Sequence, residues 1–341
     1  MAASLVDRLR PPEEALPPAP HLGLGWRTLE AADADALFGL VQRCEEVDEP
    51  LHRTTPAEIT DALSRPERGL LADAIGGYDA SGTLQAAAWV NCPPGDATVA
   101  RAFVVATIDP SWRGRGIGRA LLSWQDDRAR QLLARTGLDL PARIAAYVDE
   151  HMVDRRRLYA AAGFSPKRVF RHMRRPVTDP LPDAPVPDGL RIVDWSPELD
   201  EAVRLTHNEA FQDHWGSQPV SSEAWSTVHR DLEPRWSKIA LARTDSGDEV
   251  AGYAMTCRHE RDWAAQGVTE GYTELLGVLR PYRGGGTAKA VLVAVLRALA
   301  EDGIDYAGLD VDTENPSGAH QFYERLGYQP LGASLLYTIE V

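Results

Sequence analysis

The sequence predicts an α+β fold, a mixed sheet flanked by helices, in two tandem copies. Its 341 residues are about twice a typical domain length of roughly 150 residues. A glycine-rich turn that joins a predicted strand to an amphipathic helix occurs twice, and shorter patterns recur around it in the same order. Together these observations indicate that a whole domain was duplicated.

The recurrence is clearest at the two glycine-rich turns. Residues 108–118 read IDPSWRGRGIG and residues 278–288 read VLRPYRGGGTA, so Arg113 and Arg283 lie 170 residues apart (283 − 113). Further on, YAAAGF at Tyr159 matches YERLGY at Tyr323, at an offset of 164 (323 − 159). Upstream, WRTL at the start of the first copy resembles LRIV at the start of the second, and each precedes a predicted helix.

The predicted order within each copy is a strand, one or two helices, several strands, the glycine turn, a helix, a strand, a helix and further strands. In the second copy, residues 238–243 and 250–255 are predicted strands, and a strand at about residues 272–278 leads into the glycine turn. The sequence predicts an N-terminal domain of residues 1–178, a linker at 179–189 and a C-terminal domain of residues 190–341. The prolines of the linker favour an extended conformation.

Composition limits the classes of function. The net charge of −14 disfavours binding to nucleic acid or to an anionic membrane, so the predicted partner is a small molecule. The sequence has no apolar run of about 18 residues and no signal peptide, which predicts a soluble cytoplasmic protein. Cys44, Cys92 and Cys257 form no CxxC pair, and the histidines show no HxxxH or HxH spacing. Neither a disulfide framework nor a metal site is therefore expected.

Each glycine turn is suited to bind an anion. The backbone N–H groups at the start of a helix point outward at the positive end of the helix dipole, which favours a pyrophosphate. The dinucleotide pattern GxGxxG is excluded because Arg119 stands where the third glycine belongs. The P-loop pattern is excluded because Lys289 follows Ala288 and not a glycine.

The turns resemble the signature of the GNAT superfamily of N-acetyltransferases, Arg/Gln-x-x-Gly-x-Gly/Ala between a strand and a helix, and the duplication resembles the tandem two-domain members found in actinobacteria. The resemblance covers most of the chain and implies that each turn binds the pyrophosphate of acetyl-CoA, the acyl-CoA co-substrate. The implied cofactor-binding residues are Ile108, Arg113, Gly114, Arg115, Gly116, Ile117, Gly118 and Arg119 in the first copy, and Leu276, Val278, Arg283, Gly284, Gly285, Gly286, Thr287, Ala288, Lys289 and Asn315 in the second.

Acyl transfer to an amine needs a base, because an alkyl amine with a pKa of about 10.4 is mostly protonated at neutral pH. Glu270 and Glu274 lie on the strand before the second turn, and alternation places both on one face. Glu274 is nearer the turn and is the preferred base, although a solvated strand face is an equal alternative. By resemblance, Tyr323 is the acid that protonates the CoA sulfur, on a helix predicted to begin near Asn315.

The first copy lacks the predicted base. At the offset of 170, Glu270 corresponds to Ala100 and Glu274 to Val104, whereas Tyr323 keeps a counterpart in Tyr159. The hypothesis is therefore that the C-terminal domain catalyses and that the N-terminal domain binds CoA or has a structural role.

The acceptor is expected to meet a polar and aromatic segment that follows the first helix of the second copy. The implied substrate residues are His207, Asn208, Asp213, His214 and Trp215. A capped helix end is an equal alternative for any one of them, and the charged residues at 259–262 are interpreted as a solvated loop. The predicted reaction is acetyl transfer to a small-molecule amine by direct attack. A noncatalytic acyl-CoA sensor and a protein N-acetyltransferase are the alternatives, and no oligomeric state is predicted.

Overall fold

The computed structural model describes residues 3–64, 73–212, 214–228, 231–245, 247–314 and 318–341. The chain divides into two compact units. The first unit comprises Met1–Val169 together with Ser334–Val341, and the second comprises Phe170–Ala333.

The first unit is a mixed sheet with helices. Its helices are α1 (Leu5–Leu9), α2 (Ala34–Asp48), α3 (Pro56–Ser64), α4 (Ile117–Arg135) and α5 (Val153–Ala161). Its strands are β1 (Gly25–Thr28), β2 (Ala74–Tyr78), β3 (Leu84–Asn91), β4 (Ala100–Ile108), β5 (Ala142–Asp149) and the C-terminal part of β12 (Gln329–Glu340). The sheet order is β1-β2-β3-β4-β5-β12, in which β4 and β5 run parallel and the other neighbours are antiparallel.

The second unit repeats this arrangement. Its helices are α6 (Asp200–Ala210), α7 (Ser222–Val228), α8 (Glu260–Gln266), α9 (Thr287–Glu301) and α10 (Ala319–Arg325). Its strands are the C-terminal part of β6 (Ser165–Pro176), β7 (Leu190–Asp194), β8 (Lys238–Thr244), β9 (Gly247–Arg258), β10 (Glu270–Val278) and β11 (Tyr306–Asp312). The sheet order is β7-β8-β9-β10-β11-β6, and the parallel pair is β10 with β11. The duplicated α+β fold predicted from the sequence is confirmed.

The register of the two parallel pairs shows which residues correspond. Ala100 pairs with Ala142 in the first unit, and Glu270 pairs with Tyr306 in the second. These pairs reproduce the offsets of 170 and 164 read from the sequence. Val104 is therefore the structural counterpart of Glu274.

The last strand of each half lies in the sheet of the other half's unit. Residues 170–176 of β6 pair with β11, and residues 334–340 of β12 pair with β5. The compact units therefore differ from the ranges 1–178 and 190–341 expected from the sequence. A proline-rich linker is a local signal, whereas strand pairing is decided by distant parts of the chain.

Each parallel pair is short and leaves a gap in its sheet. In the described residues the pairing of β4 with β5 ends at Phe103 and Ala145, and that of β10 with β11 ends at Thr273 and Leu309. Beyond these points β4 and β10 continue toward the glycine turns and pair with β3 and β9 on their other side. The unpaired edge is available to an extended ligand.

The helices that follow the turns are anchored by apolar faces. Helix α4 buries Ile117 and Leu121 in the first core, and α9 buries Val295 and Leu299 in the second. These residues recur at the spacing of one helix face. In the described parts of the chain, no helix is both long and apolar enough to span a bilayer.

Candidate active site

The two glycine turns have the same local structure. In each, a short 3-10 turn precedes the arginine, whose Nε donates to the carbonyl at the end of the strand: Arg113 to Ile108 at 3.0 Å and Arg283 to Val278 at 2.8 Å. The helices begin after Gly116 and Gly286, which have φ values of 88° and 94°. Such positive φ values are the reason that these positions need glycine.

The turn of the second copy leaves its backbone open to a ligand. A methyl group placed on Gly284, Gly285 or Gly286 would meet no heavy atom within 4 Å. Thr287, the first residue of α9, is buried and donates its hydroxyl to the carbonyl of Tyr282 at 2.9 Å, which fixes the turn against the helix. Ala288 and Lys289 complete the first helical turn. A pyrophosphate can therefore approach the amides of this turn.

The arginines differ in their remaining contacts. Arg113 forms a bidentate pair with Asp48, at 2.5 and 2.9 Å, whereas Arg283 donates to the carbonyl of Ala210 at 2.8 Å. Arg115 lies across the ring of Trp112 at 4.3 Å. Arg113 and Arg283 thus brace the turns, and the backbone amides of the turns can hold an anion.

The first unit contains a cavity of about 820 Å³ at its glycine turn. The residues predicted from the sequence that line it are Ile108, Arg113, Gly114, Gly116, Ile117, Gly118, Arg119 and Tyr159. Arg155 and Arg157 also line it, and their cationic guanidinium groups suit a polyanionic ligand. The volume lies in the range of cofactor sites.

Glu270 is held in a buried ion pair. It is 7% exposed, and its carboxylate contacts Arg174 Nε and lies 3.8 Å from His172 Nε2. The carboxylate covers Gly308, where a Cβ atom would come within 2.6 Å of it. This carboxylate is committed to Arg174, and its removal would deprive a largely buried guanidinium of its anionic partner.

Glu274 is the accessible carboxylate of the same strand face. The pairing of β10 with β9 shifts between Thr273 and Leu275, so Glu274 sits in a β-bulge, and its side chain is 32% exposed. Its Oε1 lies 3.4 Å from His259 Nε2. The first unit shows no such shift between β4 and β3, where Val104 pairs regularly with Val90. A bulge re-aims one side chain and frees backbone groups, and this one occurs in the copy that carries the carboxylate.

The histidine beside Glu274 was missed in the sequence. The charged run at 259–262 is not the solvated loop that was expected: it begins α8, where His259 precedes the first residue and Asp262 is 9% exposed. The His259 ring contacts Tyr272 at 5.8 Å. Burial, and after it the nearby Glu274 carboxylate, raises the pKa of the Cys257 thiol, so the thiol is neutral at physiological pH.

The two tyrosines proposed as equivalent are both buried. Tyr323 is 9% exposed and packs edge-on against Tyr328 with ring centroids 5.9 Å apart, and Tyr159 is 6% exposed. Burial raises the pKa of both hydroxyls, which keeps them protonated and able to donate. Helix α10 begins at Ala319, and Asn315, the predicted start of this helix, lies outside the described residues.

The predicted substrate segment is more deeply buried than expected. His207 lies within α6 and is 8% exposed; its Nδ1 is 2.7 Å from the Tyr253 hydroxyl, and its ring stacks on Phe211 at 4.6 Å. Burial lowers its pKa to about 4, so the ring is neutral. His207 is a core residue because it lies on the apolar face of α6, which packs into the interior.

Asn208 exchanges two hydrogen bonds with the backbone of Val220, at 2.8 and 3.1 Å, and so fixes the segment that follows α6. His214 packs on Phe211, and Trp215 is half-buried. Asp213 lies outside the described residues. Leu276 and Val278 are half-buried on the part of β10 that extends past its pairing with β11.

Comparison with known proteins agrees with this geometry. Residues 201–328 match the acetyltransferase (GNAT) family. A mycothiol acetyltransferase of Salinispora tropica is 34% identical over 245 residues, which are 69% of this chain and 72% of that protein. A mycothiol acetyltransferase of Frankia alni is 28% identical over 312 residues, 88% of this chain and 90% of that protein.

Solved structures share the duplicated fold. A GCN5-related N-acetyltransferase from Sphaerobacter thermophilus has a TM-score of 0.71 at 23% identity, covering 93% of this chain and 95% of its own. A tandem GNAT protein from the clavulanic acid biosynthesis pathway has a TM-score of 0.68 at 20% identity, covering 93% and 98%. The family match and the curated relatives identify the protein as an N-acetyltransferase enzyme that uses acetyl-CoA. The chain belongs to the GNAT acetyltransferase family, alongside relatives named mycothiol acetyltransferase.

Proposed function

We propose that the second copy transfers the acetyl group of acetyl-CoA to the amine of a small molecule, with Glu274 as the base and Tyr323 as the acid. The observation that carries this proposal is the exposed Glu274 carboxylate in the β10 bulge, beside the gap between β10 and β11. The names of the relatives make an acceptor of the mycothiol type the first class to test.

Removal of a proton is the main requirement of the reaction. At pH 7 the pKa of an amine, about 10.4, lies about 3.4 units above the pH. Deprotonating the amine therefore costs roughly 4 to 5 kcal/mol. Glu274 is exposed enough to meet the amine directly or through one water, whereas Glu270 is committed to Arg174. We therefore assign to Glu270 the role of linking β10 to β6 across β11, and not proton transfer.

Acidic groups around the base favour an ammonium ion as the incoming form. Asp231 and Asp310, whose side chains are 43% and 42% exposed, contact the histidines that flank Tyr272 on this face. Together with Glu274 they give the acceptor side a negative field, which raises the local concentration of a cation. This agrees with a small amine as acceptor.

The leaving thiolate needs a proton donor. Tyr323 supports this role because its hydroxyl is neutral, is held by packing against Tyr328 and finds no protein hydrogen-bond partner among the described residues. The acetyl-CoA would lie with its pyrophosphate on the amides of residues 284–289 and its extended arm along the unpaired edge of β10.

We propose that the first copy binds acetyl-CoA without catalysing. Its glycine turn and cavity support binding, but it has Ala100 and Val104 where the second copy has carboxylates, and its β4 has no bulge. Tyr159 then occupies the position of the general acid in a copy that has no general base.

The test is a matched pair of variants, Tyr323→Phe and Tyr159→Phe, assayed for CoA release with a panel of small amines. Tyr323→Phe should lower kcat by about tenfold or more, because a positioned general acid typically contributes a factor of about 10²–10⁴ to the rate. Tyr159→Phe should leave kcat within about twofold. The reverse pattern would place catalysis in the first copy and refute the assignment.

A further inference from the structure

Three side chains with different donor atoms converge beside the bulge of β10. They are Cys257 at the end of β9, His259 just before α8, and Glu274 in the bulge. One ligand atom from each, sulfur, nitrogen and oxygen, lies within 4.8 Å of the others. We propose that this cluster binds a divalent transition-metal ion of the Zn²⁺ class, and that the bound ion inhibits the enzyme.

The donor set and its spacing suit Zn²⁺. Thiolate, imidazole and carboxylate bind this ion at about 2.0–2.3 Å in tetrahedral geometry, which places the donor atoms of a site roughly 3.3–3.8 Å apart. The Cys257 thiol, neutral before the ion binds, releases its proton to solvent when it coordinates the ion. His259 Nε2 and Glu274 Oε1 are already 3.4 Å apart. The Cys257 sulfur therefore needs to approach the other two donor atoms by about 1.5 Å at most.

The surroundings of His259 are those of a metal ligand. Its other ring nitrogen, Nδ1, lies 3.8 Å from Asp231 Oδ2, so a carboxylate is placed to orient the ring while Nε2 faces the cluster. The ring also lies against Tyr272, at 5.8 Å between centroids, which restricts its rotation. Glu274 is 32% exposed, so the fourth coordination position opens to water.

The first copy provides the contrast. Asn91 pairs with Phe103 as Thr256 pairs with Thr273, so Cys92 is the counterpart of Cys257. Pro94 and Val104 stand where the second copy has His259 and Glu274. One cysteine in each copy thus occupies the same place, but the other two ligands occur only in the second.

Inhibition follows from the position of the ion, and this part rests on the proposed function. A carboxylate that coordinates Zn²⁺ is no longer available to accept the proton of the amine. The ion would also repel an ammonium group that approaches the same face. Zn²⁺ should therefore compete with the acceptor amine and not with acetyl-CoA.

The binding test uses the full chain freed of metal with a chelator that is then removed. Isothermal titration with Zn²⁺ should show one site per chain, and Co²⁺ should give a sulfur-to-metal charge-transfer band. Cys257→Ser should abolish the band and weaken Zn²⁺ binding by at least about tenfold, and Asp231→Asn should weaken it by about 10 to 100-fold. Cys92→Ser is the matched control and should bind as the wild type does.

Circular dichroism and thermal melting establish that each variant is folded, and Glu274→Gln, at a partly exposed position, provides a second ligand deletion. Absence of stoichiometric Zn²⁺ binding to the wild type, or equal binding by the wild type, Cys257→Ser and Glu274→Gln, would overturn the metal site.

The inhibition test measures CoA release at increasing Zn²⁺ and at several amine concentrations. Competition with the amine that is relieved in Cys257→Ser supports the full inference. Binding without inhibition would refute the assignment of Glu274 as base and leave the metal site standing. If Glu274→Gln loses activity but the wild type binds no metal, the assignment of Glu274 as base stands and the metal site is refuted. The failure of one proposal can therefore be told from the failure of the other.

Discussion

Replacement of Glu274 by Gln tests the proposed base most directly. The substitution keeps the size of the side chain and its place in the β10 bulge, and removes its capacity to accept a proton. In the first copy the equivalent position is occupied by Val104, which is apolar. The first copy therefore has no carboxylate there that could replace Glu274.

The expected loss can be worked out from the chemistry. At pH 7.5 an amine with a pKa of about 10.4 is protonated by about 2.9 units, equivalent to roughly 4 kcal/mol. A positioned general base recovers about 10²–10⁴ in rate, so kcat/KM for the amine should fall by about 10²–10³ in Glu274→Gln. The remaining activity should rise about tenfold per pH unit below the pKa of the amine, because free amine becomes the limiting species.

The assay is thiol release from acetyl-CoA between pH 6.5 and 9.5, with Glu270→Gln as the matched control on the same strand. That control should keep kcat within a few-fold and lose stability instead, because it removes one partner of a buried ion pair, a loss of up to about 3–5 kcal/mol. The reasoning is refuted if Glu270→Gln loses activity in a stable protein while Glu274→Gln retains wild-type kcat/KM.

Three further changes test other parts of the structure. Gly286→Ala, at φ 94°, should raise KM for acetyl-CoA and cost about 1 kcal/mol of stability, whereas Gly303→Ala, at φ 71° beyond the far end of α9, should cost stability alone. Lys289→Glu should weaken catalytic acetyl-CoA binding by at least about tenfold, and the equivalent Arg119→Glu should remove a second binding event seen by calorimetry without changing KM. Burial lowers the pKa of the neutral His207 from 6.5 to about 4, so this histidine should contribute about 3 kcal/mol to the free energy of unfolding above pH 6.5. That contribution is lost as the pH falls toward 4. The free energy of unfolding of His207→Gln, measured in urea, should therefore fall less steeply than that of the wild type over this interval.

Each of these has a contrary result. Equal KM values for acetyl-CoA in Gly286→Ala and Gly303→Ala would show that the second turn does not bind CoA. A wild-type binding stoichiometry in Arg119→Glu would show that the first turn does not bind it. Parallel stability curves for the wild type and His207→Gln from pH 6.5 to 4 would show that this histidine titrates normally.

The sequence by itself determined the duplication, the two glycine turns and the type of fold. These are carried by short-range patterns: a strand, a turn that needs positive φ at glycine, and a helix with an apolar face. The same patterns singled out Glu274 as the candidate base, because the two copies could be aligned and the first had no carboxylate in its place.

Only the tertiary structure decided the surroundings of the polar residues. Glu270 and Glu274 look alike in sequence, but Arg174, 96 residues away, neutralises the first, and a bulge with His259 exposes the second. His207 was assigned to a substrate rim and proved to be buried, because its helix face packs on β9.

The exchanged strands illustrate the same limit. A proline-rich segment marks a boundary locally, but which strand completes each sheet depends on hydrogen-bonding partners that lie far along the chain, such as β12 with β5. Local pattern determines which elements form. Long-range pairing and burial determine which of their side chains remain free to act.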